Sequence, residues 1–259
     1  MQKKTEPLNQ TDALNEITDN CQCQVLRKVS ENQEWHQHQE HHEHLGDSHL
    51  SASYNTPLRL DAFVLSDEDK ITQITQHFAQ IMHILGLDLS DDSLQGTPYR
   101  VAKMYVKEIF QGLNPANMPR ITLFDNKYRY GEMLVERNIA FYSNCEHHFV
   151  PIIGKAHVAY IPEQKVIGLS KINRLVHYYA KRPQVQERLT VQIAMGLREA
   201  LQTEHVAVVL EADHACVITR GINDAHSSAV TSQFYGKFTE AETRREFLQL
   251  ISVSGAMLK

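Results

Sequence analysis

The sequence predicts an α+β fold, in which a helical segment precedes an antiparallel sheet with two consecutive helices packed on one face. Stretches rich in β-branched and aromatic residues lie on both sides of two helix-like patterns. Strand pairs that flank consecutive helices are typical of antiparallel α+β domains. In addition, 42% of the 259 residues are apolar, which is enough for a substantial core.

The first 60 residues form a polar extension, for which we predict disorder. They hold most of the net charge of -5, and their histidines cluster between residues 36 and 49, after Cys21 and Cys23. Such a segment buries too little apolar area to offset the entropy lost on ordering. A zinc-gathering arm and a solvated tail without a role are both open interpretations of its histidines and cysteines.

Residues 61–118 are predicted to form a helical segment. Ser66 begins a capping-box pattern, and an apolar stripe follows it, so we expect a helix over residues 66–85. Thr97 is expected to cap a second helix, with Pro98 in its first position.

Residues 119–259 are predicted to form the sheet domain. The expected strands are residues 121–124, 132–142, 155–161 and 206–220. Ser170 is expected to cap a helix that reaches Ala180, and Pro183 to open the next helix. A capping-box pattern at Thr239 introduces the last predicted helix.

Two short motifs gather metal ligands. They are Cys145-Glu146-His147-His148 and His214-Ala215-Cys216. Zn²⁺ favours thiolate and imidazole ligands, and a catalytic zinc uses three protein ligands, which Cys145, His148 and Cys216 could supply. If residues 214–216 lie on a strand, His214 shares a face with Cys216 and lies beside the metal without binding it. Ordinary core packing and a disulfide are the alternatives.

The expected compartment favours a metal over a disulfide. Nothing in the sequence has the pattern of a secretory leader or the length of a membrane span, so we expect a soluble, cytoplasmic protein without a membrane partner. Because thiols stay reduced there, paired cysteines are better explained as metal ligands. After residue 60 the charges nearly balance and form no long basic run, which argues against a nucleic-acid partner.

Basic residues near predicted helix starts indicate an anion site. Ser170, Lys171 and Arg174 lie in the first turn of one helix, where backbone N–H groups and the helix dipole favour an anion. Arg220, expected at the end of the strand over 206–220, is a further candidate. Arg100 is another, because the dipole gives no reason for a cation at a helix start. A solvated basic face is the alternative.

Gln186 and Glu187 open the predicted helix that follows Pro183. A carboxylate at this position can accept two parallel hydrogen bonds from an amidine-like edge, such as that of guanine. The helix dipole stabilises the carboxylate whether or not it binds a ligand, so the position alone leaves purine recognition open.

Five segments together follow the order and spacing of one enzyme family. They are Gly96 to Met104, Cys145 to Phe149, Gly168 to Arg174, Gln184 to Thr190, and His214 to Cys216. Over roughly residues 65 to 252, the chain strongly resembles GTP cyclohydrolase I. One departure is Asn223, which stands where many bacterial members carry arginine.

The resemblance implies a zinc enzyme that opens the imidazole ring of GTP. At matching positions, Cys145, His148 and Cys216 bind the zinc that activates water, and His147 and His214 are catalytic. The matching substrate contacts are Glu187 and Gln186 for the guanine edge, and Ser170, Lys171, Arg174, Arg220 and Arg100 for the triphosphate. The implied reaction releases formate and, after an Amadori rearrangement, recloses the ring to 7,8-dihydroneopterin triphosphate.

The implied fold is the tunnelling fold, in which the sheets of neighbouring subunits assemble into a barrel. Two pentamers stack into a homodecamer with active sites at subunit interfaces, so Arg100 would act on a neighbour's substrate. Another tunnelling-fold pterin or deazapurine enzyme and a non-catalytic zinc-buffering protein are the alternatives.

Overall fold

The computed structural model describes residues 54–252. The described residues belong to one compact unit. The predicted disorder and zinc-gathering role of residues 1–60 therefore fall almost entirely outside the described residues. The predicted domain boundaries at residues 60 and 118 stay predictions.

The helices and strands of the described residues follow the predicted α+β order. The helices are α1 (Asp67–Ile84), α2 (Thr97–Met104), α3 (Leu169–Ala180), α4 (Gln186–Leu201), α5 (Ala215–Ile218) and α6 (Ala241–Ser252). The strands are β1 (Leu123–Asp125), β2 (Leu134–Cys145), β3 (Pro151–Tyr160), β4 (Lys165–Ile167), β5 (Pro183–Gln184), β6 (Val206–His214) and β7 (Ala229–Phe234). Within residues 54–252, no helix has the length and apolar character needed to cross a membrane.

The first helix forms as its capping pattern predicts. The Ser66 hydroxyl oxygen accepts a hydrogen bond from the Asp69 N–H at 3.1 Å, which satisfies a donor that the first turn leaves without a helical partner. For α2 the predicted cap was wrong by one residue, since Gly96 occupies the N-cap and Thr97 begins the helix. The Thr97 hydroxyl instead accepts a hydrogen bond from Arg100 Nη2 at 2.9 Å.

Gly112 joins the helical segment to the end of α3. Its N–H donates to the Lys181 carbonyl at 2.9 Å, and its own carbonyl accepts from Arg182 Nε at 2.8 Å. A Cβ at this position would lie 2.0 Å from the Tyr178 carbonyl oxygen, so the close approach requires glycine.

The main sheet has the strand order β5-β2-β3-β6-β7. All its neighbours are antiparallel except the short β5, which runs parallel to the end of β2, and β1 pairs with β4 in a separate ribbon. The strand predicted over residues 206–220 is too long. It ends at His214, because the β-branched residues that follow form the helical turn α5, where the Thr219 hydroxyl donates to the Ala215 carbonyl at 2.7 Å. The short strands β4, β5 and β7 were not predicted.

Three predicted helix starts are also corrected. Gly168, not Ser170, is the N-cap of α3. Pro183 lies in β5, and α4 begins at Gln186. The Thr239 hydroxyl donates to the Gly236 carbonyl within a 3₁₀ turn instead of capping α6. Ser170 lies inside α3, whereas Pro183 belongs to a neighbouring strand and Thr239 to a neighbouring turn.

The core lies mainly between the sheet and the two consecutive helices α3 and α4, as predicted. Alternate residues of the sheet, such as Val158 and Val208, point to these helices and are buried with them. The intervening residues Ala159 and Ala207 belong to a smaller cluster on the opposite face, which Phe247 of α6 covers. The pleat thus gives each face its own helical cover.

Candidate metal and catalytic site

Several chain segments meet at one end of the sheet. β2 ends there at Cys145, β6 ends there at His214, and α4 starts there at Gln186. β5 pairs Gln184 with Cys145, which brings the start of α4 beside the end of β2. The two motifs that the sequence separates widely therefore lie side by side.

A tight hairpin turn positions the first two candidate ligands. The Cys145 N–H donates to the Val150 carbonyl at 2.8 Å, and the Phe149 N–H donates to the Cys145 carbonyl at 2.9 Å. Phe149 adopts a left-handed conformation with φ of 56°, which closes the loop between β2 and β3. Because Cys145 and His148 both belong to this one tight turn, the backbone brings their side chains together.

Cys145, His148 and Cys216 form a cluster that fits a metal ion. One ligand atom from each lies within 4.8 Å of the other two, and both cysteines are free thiols, not the disulfide that the sequence left open. Neighbouring donors of a tetrahedral zinc site are about 3.6–3.8 Å apart, so the cluster is compact enough for Zn²⁺. Burial raises the pKa of the Cys216 thiol, and the adjacent Cys145 raises it further. A divalent cation would offset the repulsion between the two thiolates.

Cys216 reaches this cluster from a helical turn instead of a strand. It belongs to α5, so the period-2 argument that placed it on one face with His214 was wrong, although both residues do lie at this end of the sheet. Arg220, which follows α5, donates from Nη1 to His148 Nε2 at 2.7 Å. Since a guanidinium cannot accept, this bond requires His148 Nε2 to be unprotonated.

The other two histidines flank the ligand cluster. His147 Nδ1 lies 3.7 Å from Cys145 Sγ, and the residue is exposed. His214 Nε2 donates to Gln186 Oε1 at 2.7 Å. Burial lowers the pKa of His214 below its ordinary value, while the carboxylates of Glu187 and Asp213 act in the opposite direction. The neutral imidazole is therefore favoured, as a proton acceptor requires.

The neighbours Gln186 and Glu187 face different surroundings. Gln186 is 3% exposed, and its amide is occupied by His214 and by backbone carbonyls. Glu187 is exposed and close enough to His214 to affect its pKa. Of the two predicted guanine contacts, only the Glu187 side chain is therefore open to a ligand here.

Sequence reasoning did not find the ion pair between Glu146 and Arg188. Arg188 Nη2 lies 3.2 Å from Glu146 Oε1, and Nη1 contacts Oε2, which makes a two-point interaction. The Arg188 side chain is only 6% exposed. Glu146 lies between two residues of the metal-ligand motif. A carboxylate at that position could have indicated that a basic residue lies nearby.

The anion candidates of α3 lie far from the metal ligands of the same chain. α3 runs alongside β2, as shown by hydrogen bonds from Asn173 to Glu136 and from His177 Nε2 to the Ala140 carbonyl at 2.9 Å. The first turn of α3 is therefore beside the start of β2, whereas Cys145 ends that strand. Most of the length of β2 therefore separates Glu136 from Cys145.

The remaining anion candidates keep their charges available at the surface. Ser170 and Arg174 are exposed and Lys171 is half-buried, and the ion pairs found within residues 54–252 include neither of these cations. Arg100 is exposed as well, and its guanidinium also donates to the Ser93 carbonyl at 3.2 Å. Of the predicted phosphate contacts, Arg220 is the one that hydrogen-bonds a residue of the metal cluster within residues 54–252.

Comparison with known proteins identifies the family of this chain. The family model for GTP cyclohydrolase I matches residues 74–252. GTP cyclohydrolase 1 of Flavobacterium johnsoniae is 61% identical over 209 residues, which cover 81% of this chain and 94% of that protein. GTP cyclohydrolase 1 of Yersinia enterocolitica is 52% identical over 207 residues, covering 80% of this chain and 93% of that protein.

A more distant likeness comes from a solved structure. The crystal structure of the archaeosine synthase QueF-Like in the apo form matches 41% of this chain and 94% of that chain, with 19% identity and a TM-score of 0.32. That likeness is too weak to bear on fold or function. The sequence analysis left two alternatives, which were a different pterin or deazapurine enzyme and a zinc-buffering protein. The family match favours neither of them. The sequence agreement with this family extends over most of the chain, and the chain therefore belongs to the GTP cyclohydrolase I family.

Proposed function

We propose that this chain opens the imidazole ring of GTP by hydrolysis, releases formate, and recloses the product to 7,8-dihydroneopterin triphosphate. The observation that carries this proposal is the meeting of Cys145, His148 and Cys216 with two further histidines at one end of the sheet. This arrangement combines a metal-ligand set with separate groups that can move protons.

The three ligands suit Zn²⁺, the metal on which the family depends. Two thiolates and one imidazole form a three-ligand set of the kind that leaves the fourth position open. When bound there, zinc supplies a water molecule that is acidic enough to act as a nucleophile near neutral pH. Arg220 must leave His148 Nε2 if that nitrogen is the zinc ligand, and it can remain if the ligand is Nδ1.

The chain's own side chains bind the purine and handle its protons. The exposed Glu187 carboxylate can accept two parallel hydrogen bonds, from N1–H and the 2-amino group of guanine. This contact would hold the base beside His147 and His214, whose imidazoles can accept and donate protons as the ring bonds break. Fixing the base at one point keeps the opened intermediate in place between steps.

The triphosphate contacts support a site shared between copies. Lys171 and Arg174, with Ser170, offer an anion site beside the start of β2, whereas the metal cluster of the same chain lies at the end of that strand. A neighbouring copy can place that turn against the cluster, and the family resemblance assigns Arg100 to a neighbour's substrate as well. We therefore assign the three residues of α3 and Arg100 to the triphosphate of an adjacent subunit, with Arg220 acting within its own.

A homodecamer of two stacked pentamers, with the sheets joined into a barrel, is the assembly that we propose. The chain leaves much apolar surface for such contacts, since Ile84 is 81% exposed, Leu85 is 72% exposed and Tyr142 is 60% exposed. β7 is an edge strand of the sheet and can pair with a neighbour. The paired free thiols at the metal cluster agree with a cytoplasmic location.

Formate release tests the reaction directly. Full-length protein loaded with zinc is incubated with GTP, and formate is measured together with pterin fluorescence after oxidation. We expect equal amounts of formate and neopterin product. Fluorescence without matching formate would indicate a different pterin enzyme, and several bound zinc ions without GTP turnover would indicate zinc buffering. Either result contradicts the proposed function.

A further inference from the structure

The side chain of Gln186 is held in one orientation by two strands. Its Nε2 donates to the Ala229 carbonyl at 2.9 Å and to the Leu210 carbonyl at 3.3 Å. Carbonyl oxygens only accept, so the amide NH₂ must face them, and Oε1 must face the other way. Burial to 3% exposure excludes most solvent competition for these bonds. The amide orientation therefore follows from its partners.

This orientation determines which nitrogen of His214 carries the proton. Gln186 Oε1 lies 2.7 Å from His214 Nε2 and can only accept a hydrogen bond. His214 Nε2 must therefore be the protonated nitrogen of the neutral ring. Nδ1 is then the nitrogen with a free lone pair, and it is the atom through which His214 can take up a proton.

At the start of α4, adjacent residues orient His214 and leave a carboxylate open for the purine. Successive residues of a helix point about 100° apart, so Gln186 can face the strands while Glu187 stays exposed. The Thr190 hydroxyl donates to the Gln186 carbonyl at 2.8 Å and ties the main chain of Gln186 to the next turn. A rigid anchor for the imidazole and an open carboxylate for the base thus come from adjacent residues.

We propose that Gln186 is a positioning residue that holds His214 in the Nε2–H tautomer, so that Nδ1 carries out the proton transfer. This inference deepens the proposed function and rests on it for the catalytic role of His214. It replaces the expectation that the Gln186 side chain recognises guanine. The protein itself sets the tautomer, through carbonyls of β6 and β7, before any substrate binds.

Histidine tautomers can be read without enzyme turnover. Full-length protein labelled with ¹⁵N-histidine is measured by solid-state NMR, and the His214 signals are assigned as those lost in His214→Gln. We expect a protonated Nε2 and an unprotonated Nδ1 in the wild type. Gln186→Leu should populate both tautomers, because it removes the acceptor that faces Nε2. A wild-type His214 protonated at Nδ1 overturns the proposal.

Kinetics separate positioning from base recognition. Gln186→Leu should lower kcat by roughly tenfold to a hundredfold, with an unchanged KM for GTP and unchanged zinc content, as for other partners that orient a functional imidazole. In the His214→Ala background the same change should have no further effect on the residual rate. A raised KM with an unchanged kcat, or an equal loss in both backgrounds, contradicts the positioning role.

Gln192 provides the matched control. It is also a buried glutamine of α4, but its side chain bonds the Tyr54 carbonyl at 2.8 Å and Gln184 Nε2 at 2.8 Å. Gln192→Leu should reduce stability without altering the His214 tautomer or kcat. If wild-type protein fails to release formate from GTP, the proposed function fails, but the NMR result still decides whether Gln186 fixes the tautomer.

Discussion

Arg188 binds Glu146 through two contacts and thereby fastens the metal-ligand turn to α4. Glu146 lies between Cys145 and His147, so the ion pair acts on the backbone that carries both a ligand and a catalytic candidate. Paired Arg–carboxylate contacts fix geometry as well as charge. The spacing of the candidate ligands therefore depends on a residue outside their cluster.

Arg188→Met should destabilise the protein strongly. Removing one partner of a buried pair leaves a poorly solvated charge on the other, which typically costs about 3–5 kcal/mol. Glu146→Gln combined with Arg188→Met should recover part of that loss, because no unpaired charge remains. Thermal unfolding of the full-length zinc-loaded protein measures both.

Arg198 is the control for this pair. It contacts Glu204 in a more exposed pair, with the two side chains 28% and 70% exposed. Such pairs contribute roughly 0–1 kcal/mol, so Arg198→Met should lower the melting temperature far less. Equal losses for the two arginine variants would contradict the structural role of Arg188.

Zinc binding and proton transfer should be separable by mutation. Cys216→Ser removes a thiolate ligand, so we expect zinc and GTP turnover to be lost together. His214→Ala leaves the three ligands in place, so we expect normal zinc content with little turnover. Zinc measured by atomic emission beside formate release distinguishes the two. Full zinc occupancy in Cys216→Ser would contradict the ligand assignment.

Glu187→Ala should weaken recognition of the purine without affecting zinc. A carboxylate that accepts two hydrogen bonds contributes a few kcal/mol, so kcat/KM for GTP should fall by roughly a hundredfold or more. Inosine triphosphate lacks the 2-amino group and is the matched control substrate. The wild type should prefer GTP strongly and Glu187→Ala should lose that preference, whereas an unchanged preference would show that another group reads the base.

The outcome for Gln186 shows where sequence reasoning stops. Cys145 and His148 could be paired from the sequence because a single turn joins them. The partners of Gln186 are carbonyls of Leu210 and Ala229, which come from strands distant in sequence, so no local pattern indicates that this side chain points inward. The β propensity of residues 215–220 was similarly overridden by the turn that carries Cys216.

Glu136→Gln should stabilise the protein at neutral pH. Burial raises the pKa of Glu136, and its hydrogen bond with Asn173 only partly opposes this. Glu136 Oε2 and Asn173 Oδ1 both lack partners although they are buried. A glutamine can accept from the Asn173 amide and donate back to Oδ1, which should contribute about 1 kcal/mol.

The advantage of Glu136→Gln should depend on pH. Because the folded pKa is raised, the native state holds a proton that the unfolded state releases, and wild-type stability falls as the pH rises through the folded pKa. The gain should therefore be largest above that pKa and should shrink toward the ordinary value of 4.5. Glu132→Gln, an exposed control with the same charge change, should give little gain at any pH. A pH-independent gain would exclude ionisation of Glu136 as the cause.

Two inactive variants should restore activity when they share one assembly. Lys171→Ala combined with Arg174→Ala removes the anion site of α3, and Cys216→Ser removes the metal site. If each active site takes α3 from one copy and metal ligands from another, a mixed oligomer contains some sites in which both parts are intact. Random mixing in equal amounts should give roughly a quarter of wild-type activity.

The mixing experiment needs assemblies that contain both variants. It also needs a control in which both mutations affect the same part of the active site. Co-expression of differently tagged variants, followed by tandem purification, gives mixed assemblies. The control pairs Cys216→Ser with His148→Ala, since both residues lie in the same cluster of one chain and no mixed site can be intact. We expect formate release from the first mixture and none from the second. Because the two parts lie beside opposite ends of β2, an inactive first mixture would require the triphosphate to be bound by residues other than those of α3.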